Sequence, residues 1–144
     1  MTLDDFRKEF LEDLKARASV AANFTHNEFV EVCADLLGDA EELADFEACY
    51  FRGTGSNNRK LAIDGFAQDD VDASVRLIVA DFSGEEELQS INQTQARTSF
   101  SRLTAFCEDA FSGRLLADVD ESSPAHSAAL TLQQRRKQIS RLRL

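Results

Sequence analysis

The hydrophobic period of this chain changes twice, and those changes restrict its fold more than any other feature. Before Gly38, apolar residues recur at helical spacing, first as Leu3, Phe6, Phe10 and Leu14, then as Phe29, Val30, Cys33, Leu36 and Leu37. From Phe46 the pattern shortens. Phe46, Ala48 and Tyr50 alternate with Glu47, Cys49 and Phe51, which predicts a strand over about 45–52 covered on both sides. A second strand is expected over 60–68, and a third, rich in Val75, Leu77, Ile78 and Val79, over 74–82, the three forming one antiparallel meander. Gly53 to Asn58 and Asp69 to Ala73 have the composition of turns. Helical spacing then returns in Ala96, Phe100, Leu103, Phe106, Cys107, Ala110 and Phe111.

The helix ends carry their own signals. Thr2 with Asp5, and Thr25 with Glu28, have capping-box spacing. Asn92 and Gln95 open the long helix and Gly113 closes it, while Ser123-Pro124 opens another that runs toward Ile139. The stretch from Ala16 to Asn23 is ambiguous. Apart from the first helix the expected order is α-β-β-β-α-(α)-β: an α/β fold with a mixed central sheet flanked by helices. We expect one domain over 1–144, with 1–22 as an extra helix and 25–144 as the core. Arg141 to Leu144 alternates like a strand just beginning, so the chain is expected to be the N-terminal fragment of a longer protein, and an open half-strand invites a homodimer.

Composition narrows the function classes. No apolar run approaches a membrane span, and no basic-then-apolar leader follows Met1, so the expected address is cytoplasmic. Cys33, Cys49 and Cys107 are scattered and lack a C-x-x-C pair, which argues for buried thiols rather than zinc or disulfides. The net charge is −10. Five of the cations (Arg135, Arg136, Lys137, Arg141, Arg143) lie in the last ten residues, so the body is more acidic still. That balance disfavours nucleic acid as a partner of this domain alone.

Two acids stand out because they fall in apolar strands: Asp64 in KLAIDGF and Asp81 in LIVADFSG. If the second and third strands pair, the two carboxylates can lie about 5 Å apart. Two oxygen ligands at that spacing suit Mg²⁺ or Mn²⁺, which could acidify a bound water beside a phosphate. Plainer roles stand beside this one. Asp64-Gly65 is also a turn dipeptide, and Asp81 also suits the end of a strand. Arg59 and Lys60 read as loop cations, and Arg97 and Arg102 as members of a solvated helix face. His26 and His126 have no evident catalytic partner. Glu28, Glu31 and Asp35 cluster opposite the apolar stripe of their helix, as a solvated acidic face would.

An aspartate on the second strand, followed by acid-x-lysine on the third, resembles the signature of the PD-(D/E)XK nuclease superfamily, whose core is restriction-endonuclease-like. More narrowly, YFRGTGSNNRKLAIDGFAQDD, LIVADFSG, ESSPAH and QQRRKQISRLRL resemble the front end of the AIPR (abortive infection phage resistance) proteins over roughly 25–144. The resemblance implies phage defence and metal-dependent phosphodiester hydrolysis. It implies Asp64 and Asp81 as metal ligands, Glu31 as a candidate helical ligand, and further chain beyond residue 144. Ser83 falls where the superfamily keeps its lysine, so the alternative is a catalytically degenerate scaffold or interaction module. Lys60 is a poor substitute, since four residues along a strand span about 13 Å.

Overall fold

Local capping sets where the helices begin. In the computed structural model, which describes residues 1–144, the Thr2 hydroxyl accepts from the Asp5 N–H and Asp5 accepts from the Thr2 N–H. This box starts α1 (Leu3–Ala21), which absorbs most of the stretch that the sequence left ambiguous. Asn92 and Gln95 make the same reciprocal pair at the start of α3 (Gln93–Phe111). Gly113, at φ +78°, lets the chain turn out of that helix in a left-handed conformation. A short helix α4 (Arg114–Asp118), absent from the sequence reading, follows, and Ser123-Pro124 opens α5 (Pro124–Arg135).

The second helix, α2 (Thr25–Asp39), departs from expectation at both levels. Its cap is Phe24, without a side-chain bond, and the expected Thr25–Glu28 box does not form. Glu28 is buried and accepts from the Asn23 side-chain amide instead, whereas Leu36 and Leu37 are exposed. The helix is therefore rotated relative to its apolar stripe. Glu28 leaves the expected solvated face because Asn23 offers it a donor inside.

The sheet contains β1 (Phe46–Thr54), β2 (Lys60–Asp69), β3 (Ser74–Ile78) and β4 (Arg141–Arg143), in that spatial order. The first three strands form the expected antiparallel meander, and β4 returns parallel to β3 after the helical crossover. The α-β-β-β-α-β order thus holds. Two strand expectations need correction. β1 is an edge strand with only Cys49 buried, because β2 covers it on one side alone. β3 ends at Ile78, so Asp81 lies outside any strand. Asp64 is firmly inside β2 and not at a turn; residues 61–67 of that inner strand are all buried.

Leu61, Ile63, Phe66, Val75 and Leu77 of the sheet pack with Leu103, Phe106 and Ala110 of α3 and with Ala128, Ala129 and Leu132 of α5. A smaller cluster joins Ala34, Leu43 and Ala67. Leu11, Leu14 and Ala18 bury the inner face of α1, and Phe10 meets Phe29 of α2 edge-on at 6.3 Å. These contacts hold β2 rigid at the centre of the domain, and the candidate site is built around that strand.

Candidate functional site

Asp64 is completely buried, in the middle of an otherwise apolar strand. Burying a carboxylate without partners is costly, so the fold has to supply donors. Three arrive from three different segments. Arg52 of β1 brings its Nη2 to 2.9 Å from Oδ1 and 3.0 Å from Oδ2. His26, in the first turn of α2, places Nε2 at 3.0 Å from Oδ1. The Ala80 N–H donates to Oδ2 at 2.6 Å. Because a carboxylate only accepts, the proton of His26 must sit on Nε2. The Nε2 contact to Arg52 at 3.5 Å is then a near approach of two donors and not a hydrogen bond.

A bulge makes this geometry possible. Ala48 pairs with Gly65 and Phe51 with Ile63, so two residues of β1, Cys49 and Tyr50, stand opposite Asp64 alone. On the other side, regular pairing of β2 with β3 stops at Gly65 and Ile78. The next amide that could have continued the ladder, that of Ala80, goes to the Asp64 carboxylate. Arg52 is further steadied by donating through Nη1 to the carbonyls of Phe51 and Ile63. Burial alone would push the Asp64 carboxyl up. The bonds from His26, Arg52 and Ala80, with the Arg52 charge, outweigh it and hold the group below the usual carboxylate range.

Above this cluster lies an open polar cleft of about 400 Å³, lined by His26, Arg52, Asp81, Thr94, Thr98, Ser99 and Arg102 among others. Asp81 is exposed at its edge and bonded to no other side chain, one residue beyond the amide that Asp64 captures. Ser83 accepts from Arg7 Nη2 at 3.0 Å, and Arg7 also donates twice to the Glu85 carbonyl. Glu31 accepts from the Tyr50 hydroxyl, which is shared with the Asn27 carbonyl. Lys60 reaches only the Thr54 hydroxyl. Arg59 is no free loop cation, since it pairs with Glu108 and Asp109 of α3.

The fold therefore brings Asp64 and Asp81 to one neighbourhood, one beneath the cleft and one on its rim, while Glu31 is bonded to Tyr50, which stands opposite Asp64 in the bulge. No three His, Cys, Asp or Glu side chains gather in a metal-binding group. As arranged, the donor set around Asp64 does not fit Mg²⁺ or Mn²⁺, because a cation and two N–H groups already occupy both carboxylate oxygens. Sequence reasoning missed His26 and Arg52. Arg52 had a signal: a buried strand acid calls for a cation, and hairpin pairing across the 53–58 turn sets Arg52 opposite Ala62. His26 had none, because its contact to Asp64 spans 38 residues.

These features define a class: an α/β domain with a four-stranded mixed sheet, carrying an arginine-bound buried aspartate under a polar cleft. The chain belongs to the family of abortive infection phage resistance protein N-terminal domains, whose family model matches residues 29–144. No curated protein and no solved structure matches it. The match takes in β1 to β4 and α3 to α5, and it begins within α2, after His26. No helix is long and apolar enough to cross a membrane.

Proposed function

We propose that this domain is a nuclease-like module of a phage-defence protein that serves as a scaffold or interaction unit and does not itself hydrolyse phosphodiesters at Asp64. The observation that carries the reading is the saturation of the Asp64 carboxylate by Arg52, His26 and the Ala80 amide. A carboxylate that must hold a divalent ion needs free lone pairs and no competing cation. Ser83 adds to this, since at the position of the superfamily's lysine it offers no charge. The α-β-β-β-α-β order supports a restriction-endonuclease-like frame. A second reading, metal-dependent hydrolysis, is favoured by one observation: Asp81 lines the same cleft as His26 and Arg52.

The test is cleavage of plasmid DNA and single-stranded RNA across Mn²⁺ and Mg²⁺ titrations, with Asp64→Asn, Asp64→Ala and Asp81→Ala as controls. We expect no cleavage above that of the three variants. Cutting by the unmodified chain that vanishes in every variant would overturn the proposal in favour of hydrolysis. Under that second reading Ser83→Lys should preserve or raise the rate.

A further inference from the structure

Two cavities meet at residues 81, 82 and 95, and their linings differ in chemistry. The first, of about 290 Å³, lies between α1, α2 and the segment that follows β3, with Phe10, Phe29 and Phe82 in its wall and Arg7, Gln89 and Ser90 around it. Phe29 and Phe82 stack at 4.8 Å, and Phe10 meets Phe29 edge-on. The second is the polar cleft, with the Arg52 and Arg102 guanidinium groups and the hydroxyls of Thr94, Thr98 and Ser99. Asp81, Phe82 and Gln95 line both.

We propose that the two cavities form one site for a ribonucleoside phosphate, with the base in the aromatic cavity, the ribose at Asp81 and the phosphate in the polar cleft. A flat aromatic base stacks on phenyl rings regardless of its sequence identity. A carboxylate between base and phosphate is the group that accepts hydrogen bonds from ribose hydroxyls, as acidic residues do in dinucleotide sites. Guanidinium and hydroxyl donors match phosphate oxygens. Asp81, Gln89, Ser90, Ser99 and Arg102 make no side-chain hydrogen bond or ion pair elsewhere in the chain, so their polar groups are free to meet a ligand. Together the cavities have the volume of a small-molecule site.

The aromatic half depends on α1, which supplies Arg7, Phe10, Leu11 and Leu14 and lies outside the family match. The base compartment is thus shared: Phe29, Phe82, Gln89 and Ser90 belong to the matched segment, and α1 closes it from outside that segment. Arg7 fixes it in place by tying α1 to Ser83 and Glu85. This inference concerns binding and goes beyond the scaffold reading, since it holds whether or not the domain cuts anything.

The experiment is isothermal titration of the whole chain, without added metal, using AMP, GMP, CMP and UMP. Adenosine, inorganic phosphate and dAMP are the comparison ligands. We expect AMP to bind more tightly than either adenosine or phosphate alone, and more tightly than dAMP. Arg102→Glu should weaken AMP by at least about tenfold, the loss of one charge-assisted contact. Asp81→Asn should erase most of the preference for AMP over dAMP. Both residues are exposed, so both variants should fold, which circular dichroism would verify. No binding by any of the four nucleotides would overturn the proposal. So would AMP binding no tighter than phosphate, or binding unchanged in Arg102→Glu. Because the readout is heat of binding, a failed cleavage assay leaves this test intact.

Discussion

Two buried aspartates in this domain are each answered by an arginine, yet they sit in different settings. Asp64 of β2 has a fully buried side chain and meets Arg52, His26 and the Ala80 amide. Asp109 of α3 is 4% exposed and meets Arg59, the Ser56 hydroxyl at 2.6 Å and the Ser56 N–H at 2.9 Å. The Asp109 cluster clamps the turn after β1 onto α3. Its partners come from four consecutive residues, 56 to 59, and every donor serves that turn. The Asp64 cluster draws its donors from α2, β1 and the segment after β3, and a cleft opens beside it. The pairs share their chemistry, so the pairing does not distinguish a fastening from a site. What does is the number of separate elements that converge and the free polar groups nearby.

Removing the arginine should separate the two most strongly. Arg52→Ala leaves a fully buried carboxylate with His26 and one amide, and should cost about 3 kcal/mol, the low end for breaking a buried pair. Asp109 keeps both Ser56 donors when Arg59 is removed, so Arg59→Ala should cost clearly less. Urea unfolding of both variants measures the difference, and adding Asp64→Ala to Arg52→Ala should recover part of the loss. Equal losses would mean that the two clusters are equivalent fastenings.

Each aspartate also has a tightly packed glycine nearby. A Cβ at Gly65 would strike the Phe46 ring and the Glu47 carbonyl, while one at Gly55 would meet the Asp109 carboxylate and the Leu61 side chain. Overpacking of this kind costs about 1–3 kcal/mol. Backbone yields less than side-chain ends, so Gly65→Ala should lower the melting temperature more than Gly55→Ala. The reverse order would show that the bulged region around Asp64 is the more pliable of the two.

Acid should act on both regions together. Burial raises the Asp109 carboxyl, but its bonds to Ser56 and Arg59 and the Arg59 charge leave it lowered on balance, as at Asp64. A carboxyl depressed in the folded state contributes stability above its unfolded pKa of about 3.9, and that contribution disappears as pH falls through the folded value. The melting temperature should therefore decline below about pH 4, as these two carboxylates protonate. Asp64→Asn and Asp109→Asn should each flatten the acid limb by a similar, smaller step. A limb unchanged in Asp64→Asn would show that the Asp64 carboxylate does not carry the acid sensitivity.

Much of this fold was legible in the chain. The Thr2–Asp5 and Asn92–Gln95 boxes, the Ser123-Pro124 start and the Gly113 stop all appear where the sequence places them. Each depends on residues within about four positions, where hydrogen-bond geometry is nearly independent of the rest of the molecule. The meander order was also legible, because alternation and turn composition are local too. Asp64 stood out for the same reason, as a charge in an apolar strand.

Other features needed the assembled molecule. The rotation of α2, which buries Glu28 and exposes Leu36 and Leu37, follows from what packs on that helix and not from its own stripe. β3 was read four residues too long because Val79 and Ala80 look like strand, yet the Ala80 amide serves Asp64 instead of a ladder. The apolar residues around Asp64 were enough to mark it as an acid set within a strand. That residues 26, 52 and 80 answer it follows from long-range packing. The reason is physical: a buried carboxylate must recruit donors, and which donors lie within 3 Å depends on the bulge opposite Asp64 and on where α2 comes to rest.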